Sequence, residues 1–393
     1  VASGVARIAP GAEFNTRFAT IDAFRGFAAL WVALYHFYNA LLPGPTARPW
    51  GSLLHAVLSH GYLGVYVFFV LSGFVIARNF YQLPVTLGIV GRFALRRSIR
   101  LDPTYWAVIA LTLALEGLKS WYGIGQERYW ETDYSPAELA ANLFYLHKLL
   151  DYSAIVAVGW TLCLEIQFYL VFAFAEWLSC VVDRRGGTGS LATRRAVFGL
   201  LYLWSIAAFL FSLGVPLGFP PSRQGLFIDY WYAFYLGALA WWTTAGLVSW
   251  KSTTLVLLLQ TVVVYGGRLA IAGGPLEGDA YEHLTGAVTA MLTTAVITGM
   301  GLRGRLITSL QSAVVQYFGR ISYSFYLIHP LVGNRGTRIA LTYLPGAESL
   351  GVVGTVGIFA AAFCLSVAAA HVLYVAVERP THRFSRKISL TAK

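Results

Sequence analysis

Residues 20–42 read TIDAFRGFAALWVALYHFYNALL, and Pro43-Gly44-Pro45 ends the run. As a helix this stretch rises about 34 Å, enough to cross the roughly 30 Å hydrocarbon core of a bilayer. Yet it carries Asp22, Arg25 and His36. At 100° per residue, Arg25 and His36 lie about 20° apart around the axis, and Asp22 lies within about 60° of either. The three share one helix face. An apolar spanning helix with an ionisable stripe reads as one wall of a helical bundle whose interior has work to do.

Working outward, nine more apolar segments follow. They are expected at roughly 62–82, 103–120, 154–179, 196–214, 228–249, 253–272, 283–302, 314–333 and 351–377. Proline, glycine and charged stretches separate them, among them Pro84 with Arg92, Arg96, Arg97 and Arg100, then Asp183-Arg184-Arg185-Gly186-Gly187, and then Pro216, Pro220 and Pro221. The expected fold is therefore all-α, a polytopic transmembrane bundle of about ten spans. It divides into an N-terminal segment 1–19, a transmembrane domain 20–378 and a basic tail 379–393. Residues 1–19 have no apolar core, so no cleaved signal peptide is expected and the first span serves as an uncleaved anchor.

Composition agrees. Hydrophobic residues make up 57% of the 393 and charged residues 12%, which excludes disorder, a nucleic-acid-binding domain and an ordinary cytosolic enzyme. The formal net charge of +11 follows from arginines and lysines held in cytoplasmic loops rather than from a polyanionic partner. With both termini cytoplasmic, twenty of the 29 Lys and Arg fall on that side and eight on the other, while Arg320 sits inside a span. The expected location is the bacterial inner (plasma) membrane. Three cysteines in apolar segments offer neither a disulfide framework nor a metal site, and the eight histidines never fall into H-x-x-x-H spacing.

Several polar residues stand out, each with a structural alternative. His36 rises about 16 Å beyond Arg25 along the helix, deep in the apolar stretch. It suits a general base, or a hydrogen-bonded interhelical histidine. Asp22 and Arg25 suit a functional pair, or an interfacial i,i+3 ion pair. Glu165 is the only carboxylate near the centre of a span, so it needs a partner or a proton. A contact between Glu165 and His36, direct or through one group, is expected. Arg96, Arg97 and Arg100 form a cationic turn that suits phosphates, or simply marks the cytoplasmic side. Gly64, Ser72 and Gly73 suit close helix packing, or a backbone approached by a ligand. Trp160, Tyr169 and Trp231 suit stacking on sugar rings, or lipid contact. His329 is expected near the outer interface.

Read together, these segments resemble the acyltransferase-3 family of integral membrane acyltransferases. Asp22, Arg25-Gly26 and His36 match its D-x-x-R-G opening and R-x10-H spacing. F-F-V-L-S-G-F at 68–74 is similar to its second-span signature, and R-R-S-I-R-L-D-P-T-Y at 96–105 to its basic motif, with Leu101 where isoleucine is usual. W-T-L-C-L-E-I-Q-F-Y at 160–169 resembles its membrane glutamate motif, with Ile166 where many members repeat an acid. I-S-Y-S-F-Y-L-I-H-P at 321–330 and V-E-R-P at 377–380 resemble its C-terminal pair. The order is the family's and nearly the whole chain is covered.

The resemblance implies a stand-alone member without an extracytoplasmic hydrolase-like domain. It implies acyl-CoA, most often acetyl-CoA, as donor. The acceptor would be a hydroxyl of a polysaccharide, lipopolysaccharide, lipo-oligosaccharide or macrolide. The donor would be held by Arg96, Arg97 and Arg100, with Tyr105, Ser72 and Gly73. Asp22 and Arg25 would flank the pantetheine, His36 would act as base with Glu165 orienting it, and Trp160, Tyr169 and His329 would meet the acceptor. The rival reading is a proton-coupled transporter or flippase of lipid-linked sugar. Such proteins usually show an internal repeat, and none is visible in this sequence.

Overall fold

The computed structural model describes residues 17–41, 52–81, 83, 85–122, 134–182, 191–215, 225–270, 278–343 and 352–390. The breaks expected at 43–45, 84, 183–187, 216–221 and 273–277 lie outside them, as does most of the N-terminal segment.

All ten expected segments are helical. They correspond to α1 (Ala19–Leu41), α3 (Gly64–Asn79), α4 (Leu87–Trp121), α6 (Gly159–Val182), α7 (Leu191–Ser212), α8 (Trp231–Thr244), α9 (Trp250–Ala270), α10 (Gly278–Leu302), α11 (Ala313–His329) and α13 (Val352–Leu373). Among the described residues there are also four shorter α-helices: α2 (Ser52–Ser59), α5 (Pro136–Leu143), α12 (Arg335–Tyr343) and α14 (Arg379–Ser385). No strand occurs among the described residues. Among the described residues, six helical runs, on α3, α6, α7, α9, α10 and α13, are long and apolar enough to cross a membrane. On α9, Leu255, Leu258, Leu259 and Val262 form an exposed apolar stripe. Stripes of this kind place the bundle's outer surface in lipid.

Three local features differ from the sequence expectation and bear on the site. The basic motif is not a loop before a span. Helix α4 runs unbroken through Pro103, so Arg96, Arg97 and Arg100 sit on a helix. Proline removes one ladder bond there, but side chains anchor the turn. Asp102 accepts from Ser98 one turn earlier and from the Tyr145 hydroxyl at 2.9 Å. Next, the two C-terminal motifs end in π turns, Pro330–Asn334 after His329 and Tyr374–Glu378 before Arg379. Such turns re-aim side chains inside otherwise regular helices and recur at functional sites. Finally, a short helix, α5, with its own N-terminal cap precedes α6. Ser135 and Glu138 form a reciprocal capping box, so this carboxylate has a structural task.

Glycine contacts set the innermost crossings. A Cβ on Gly73 would come within 1.8 Å of the Phe234 carbonyl, and one on Gly237 within 1.9 Å of the Val70 carbonyl. Helices α3 and α8 therefore touch backbone to backbone. Gly26 and Gly319 bring α1 and α11 together in the same way. Behind α3, Phe168 stacks on Phe234 with centroids 3.9 Å apart, and Phe198 stacks on Trp231 at 6.1 Å. This aromatic block fixes α6, α7 and α8 relative to one another.

Candidate active site

Helices α1, α3, α4, α6 and α11 line a narrow cavity. Arg25, Ser72, Arg97, Thr161, Glu165, Tyr169, Ser322, Tyr323 and Tyr326 supply its polar lining, and Phe68, Phe69 and Val75 part of its apolar wall. Residues from five separate sequence motifs thus meet in one space.

Glu165 does find partners, though not His36. Its Oε1 accepts a 2.6 Å hydrogen bond from Ser72 and another from the Tyr169 hydroxyl. The Arg97 guanidinium lies 4.3 Å from the centroid of the Tyr169 ring, a cation–π contact. Arg97 is only 7% exposed, and its Nη2 has no hydrogen-bond partner among the described residues. A buried guanidinium with an open donor is costly unless something anionic completes it.

Asp22 does not pair with Arg25. Its carboxylate takes Arg17 at 2.5 Å, and Arg17 reaches on to Gln316 at 3.0 Å. Arg25 turns into the cavity instead. There it joins Arg100 as one of the charges acting on Glu378. Glu378 accepts from the Ser324 amide (3.1 Å) and hydroxyl (2.5 Å). His382 on α14 lies among the charges of Arg100, Arg386, Arg25 and Arg96. One end of the bundle is therefore a convergence of guanidinium groups with Glu378 as a counter-charge.

His36 does not line the cavity. Its ring packs 5.2 Å from that of His329, tilted by 36°, and 5.2 Å from Tyr35. His329 is the last residue of α11, near the helix end as expected, but its ring is fully buried in the bundle rather than turned outward. Its Nδ1 contacts the Phe325 carbonyl at 3.3 Å. A carbonyl only accepts, so Nδ1 carries the proton, and Nε2 is left as a buried lone pair without a partner among the described residues. Tyr326 connects the histidines to the cavity. It lines the cavity, packs on Phe68 at 5.3 Å and lies 5.9 Å from His329.

Other expected residues fall elsewhere. Gly73 faces α8 and serves the helix crossing, while its neighbour Ser72 faces the cavity. Tyr105 is fully buried and stacked on Tyr145 at 4.8 Å, with its hydroxyl under Gly159, away from the cavity. Trp231 is fully buried in the aromatic block. Trp160 faces a second, larger cavity at the far end of the bundle. His147, which sequence gave no reason to single out, is buried near Gly159. Burial, and then the Lys148 charge, push its pKa down to about 4, so it is neutral at physiological pH.

Sequence reasoning also passed over Tyr326, Glu378 and His382. Tyr326 and Glu378 stand within the I-S-Y-S-F-Y-L-I-H-P and V-E-R-P motifs, and that was the available signal.

A family model described as an acyltransferase domain (the acyltransferase-3 type) matches residues 18–375. Among curated proteins, the Acyltransferase MdmB of Streptomyces mycarofaciens is 25% identical over 404 residues, spanning 93% of this chain and 92% of that protein. No solved structure matches the chain with significance.

Proposed function

The chain belongs to the acyltransferase-3 family, and from that premise we propose that it is a plasma-membrane O-acyltransferase. It moves an acyl group, acetyl in the simplest case, from cytoplasmic acyl-CoA to a hydroxyl of a cell-surface or secreted carbohydrate. The observation that carries this reading is the open guanidinium of Arg97 inside a cavity that continues the arginine-rich end of the bundle. The excess of Lys and Arg expected on that side supports reading it as the cytoplasmic end, where acyl-CoA is found.

In this scheme Arg96, Arg97 and Arg100 hold the donor's phosphates by charge-assisted hydrogen bonds. The pantetheine arm enters the cavity past Arg25, and the thioester comes to rest by Phe68 and Tyr326. His36 lies one ring farther on, so Tyr326 must shift to admit the reacting atoms. His36 then takes the proton from the acceptor hydroxyl as its oxygen attacks the thioester carbon. The tetrahedral intermediate expels the CoA thiolate, and the proton on His36 passes to that sulfur. His329 is a positioning residue: its ring holds the His36 ring from behind. Glu165 is one as well, through Tyr169 and Ser72 rather than through His36.

The test is donor consumption. Purified protein in lipid nanodiscs is given radiolabelled acetyl-CoA and an extract of envelope glycans and secreted glycolipids. The expected result is free CoA and a labelled, alkali-labile ester on a glycan. Movement of a sugar across vesicles with no donor consumed would contradict the reading.

A further inference from the structure

The second cavity lies at the end opposite the arginines. The beginnings of α3, α6 and α10, the end of α7 and the turn before α8 form it. Its aromatic wall is continuous. Tyr230 packs on Trp160 at 6.1 Å and on Tyr66 at 5.9 Å. The wall also reaches the site already described, because Tyr62 lines the cavity and touches Tyr35 at 5.8 Å, and Tyr35 touches His36.

Charge in this cavity is the reverse of that at the arginine end. Asp229, Asp279 and Glu282 stand against Lys148. Glu282 is central among them, since its charge acts on Tyr35, Tyr62, Tyr66 and Tyr230 alike. Asp279 also faces the positive end of the α10 dipole, so Glu282 is the more informative group. An independent observation points to an occupant. Tyr66 is 5% exposed, and its hydroxyl makes no hydrogen bond among the described residues. Its ring lies flat on Gly286, where a Cβ would come 2.1 Å from Cζ. A buried tyrosine seated this closely, with an unused hydroxyl on a cavity, is a ready-made polar contact for a ligand.

We propose that this cavity is the acceptor site and that it takes a sugar ring bearing a protonated amine. The apolar faces of the ring stack on Trp160 and Tyr230, the ammonium sits against Glu282 and the tyrosine faces, and the Tyr66 hydroxyl bonds a ring hydroxyl. The word acceptor rests on the acyltransferase reading; binding of the amino sugar does not.

The test compares a glucosamine disaccharide with its N-acetylated counterpart, which shares ring and hydroxyls but lacks the charge. Both are titrated at pH 6 into the full-length protein in nanodiscs, followed by tryptophan fluorescence. The amine is expected to bind about tenfold more tightly. Glu282→Gln should remove most of that preference and Glu282→Asp should retain part of it. If Glu282→Gln fails to fold, Asp279→Asn serves as the second variant and should reduce the preference. Equal affinity for the two sugars, or a preference that survives both charge removals, overturns the proposal. Amine preference without donor consumption would instead overturn the acyltransferase reading and leave this site standing.

Discussion

His36→Ala is expected to lower acyl transfer by about 10²–10⁴-fold, the usual contribution of a positioned general base. Donor affinity should be unchanged, because His36 neither lines the pocket that holds Arg97 nor has an arginine among its ring contacts. The protein should also remain folded. His36 is half-buried and its recorded neighbours are ring contacts, so alanine leaves a gap but strands no ion pair. The check is steady-state transfer beside equilibrium binding of CoA in the same nanodisc preparation. Glu165→Gln is the informative comparison. It keeps an acceptor for Ser72 and Tyr169 while removing the charge, so it should reduce transfer less than His36→Ala does. If Glu165→Gln abolishes transfer and His36→Ala leaves it substantial, the base is Glu165 and the assignment to His36 fails.

Arg97→Gln should raise the dissociation constant for acetyl-CoA by about 10- to 100-fold, the loss of one or two hydrogen bonds between charged groups. Turnover at saturating donor should change little, because Arg97 binds the donor and does not touch the reacting atoms. Arg97 is the cleanest probe of the three. Arg100 also faces Glu378 and Arg25, so removing it disturbs a buried charge as well as the donor site. Arg96 is half-buried beside the charges of Arg97 and Arg386, so removing it also changes their repulsion. Calorimetry with CoA on Arg97→Gln, alongside kinetics at several donor concentrations, separates affinity from turnover. Unchanged affinity would mean that the cluster only marks topology or meets anionic lipid.

The helices were legible because each is an apolar run bounded by proline, glycine or charge, and that pattern is local. Also legible was that Arg25, Ser72, Arg97, Glu165 and Tyr169 deserved notice, since polar groups in apolar runs carry a cost that needs an explanation. Which of them would meet was less legible. Arg25 and Asp22 are one turn apart and of opposite charge, so an ion pair was the natural reading. Arg17 takes Asp22 because it also reaches Gln316 on α11, a contact between residues 299 positions apart that helical periodicity cannot encode. His329 looked interfacial from its depth along one helix. Its burial against His36 depends on the close crossing of α1 and α11 at Gly26 and Gly319. Tyr105 belongs to the basic motif by position. Five residues farther along a helix that does not break at Pro103, its side chain stacks on Tyr145 instead. Glu378 shows the reverse case: its motif was visible, but its pairing with Ser324 needs two distant helices in place.

The most direct measurement is a structure of the full-length protein in lipid with a non-hydrolysable acetyl-CoA analogue whose thioester sulfur is replaced by methylene. The expected result is the phosphates on Arg96, Arg97 and Arg100, the arm in the cavity past Arg25, and the acyl carbonyl beside a displaced Tyr326, within reach of His36. An analogue whose carbonyl stops at Glu165 with Tyr326 still closed over the histidines, or whose phosphates rest away from the arginines, would contradict it.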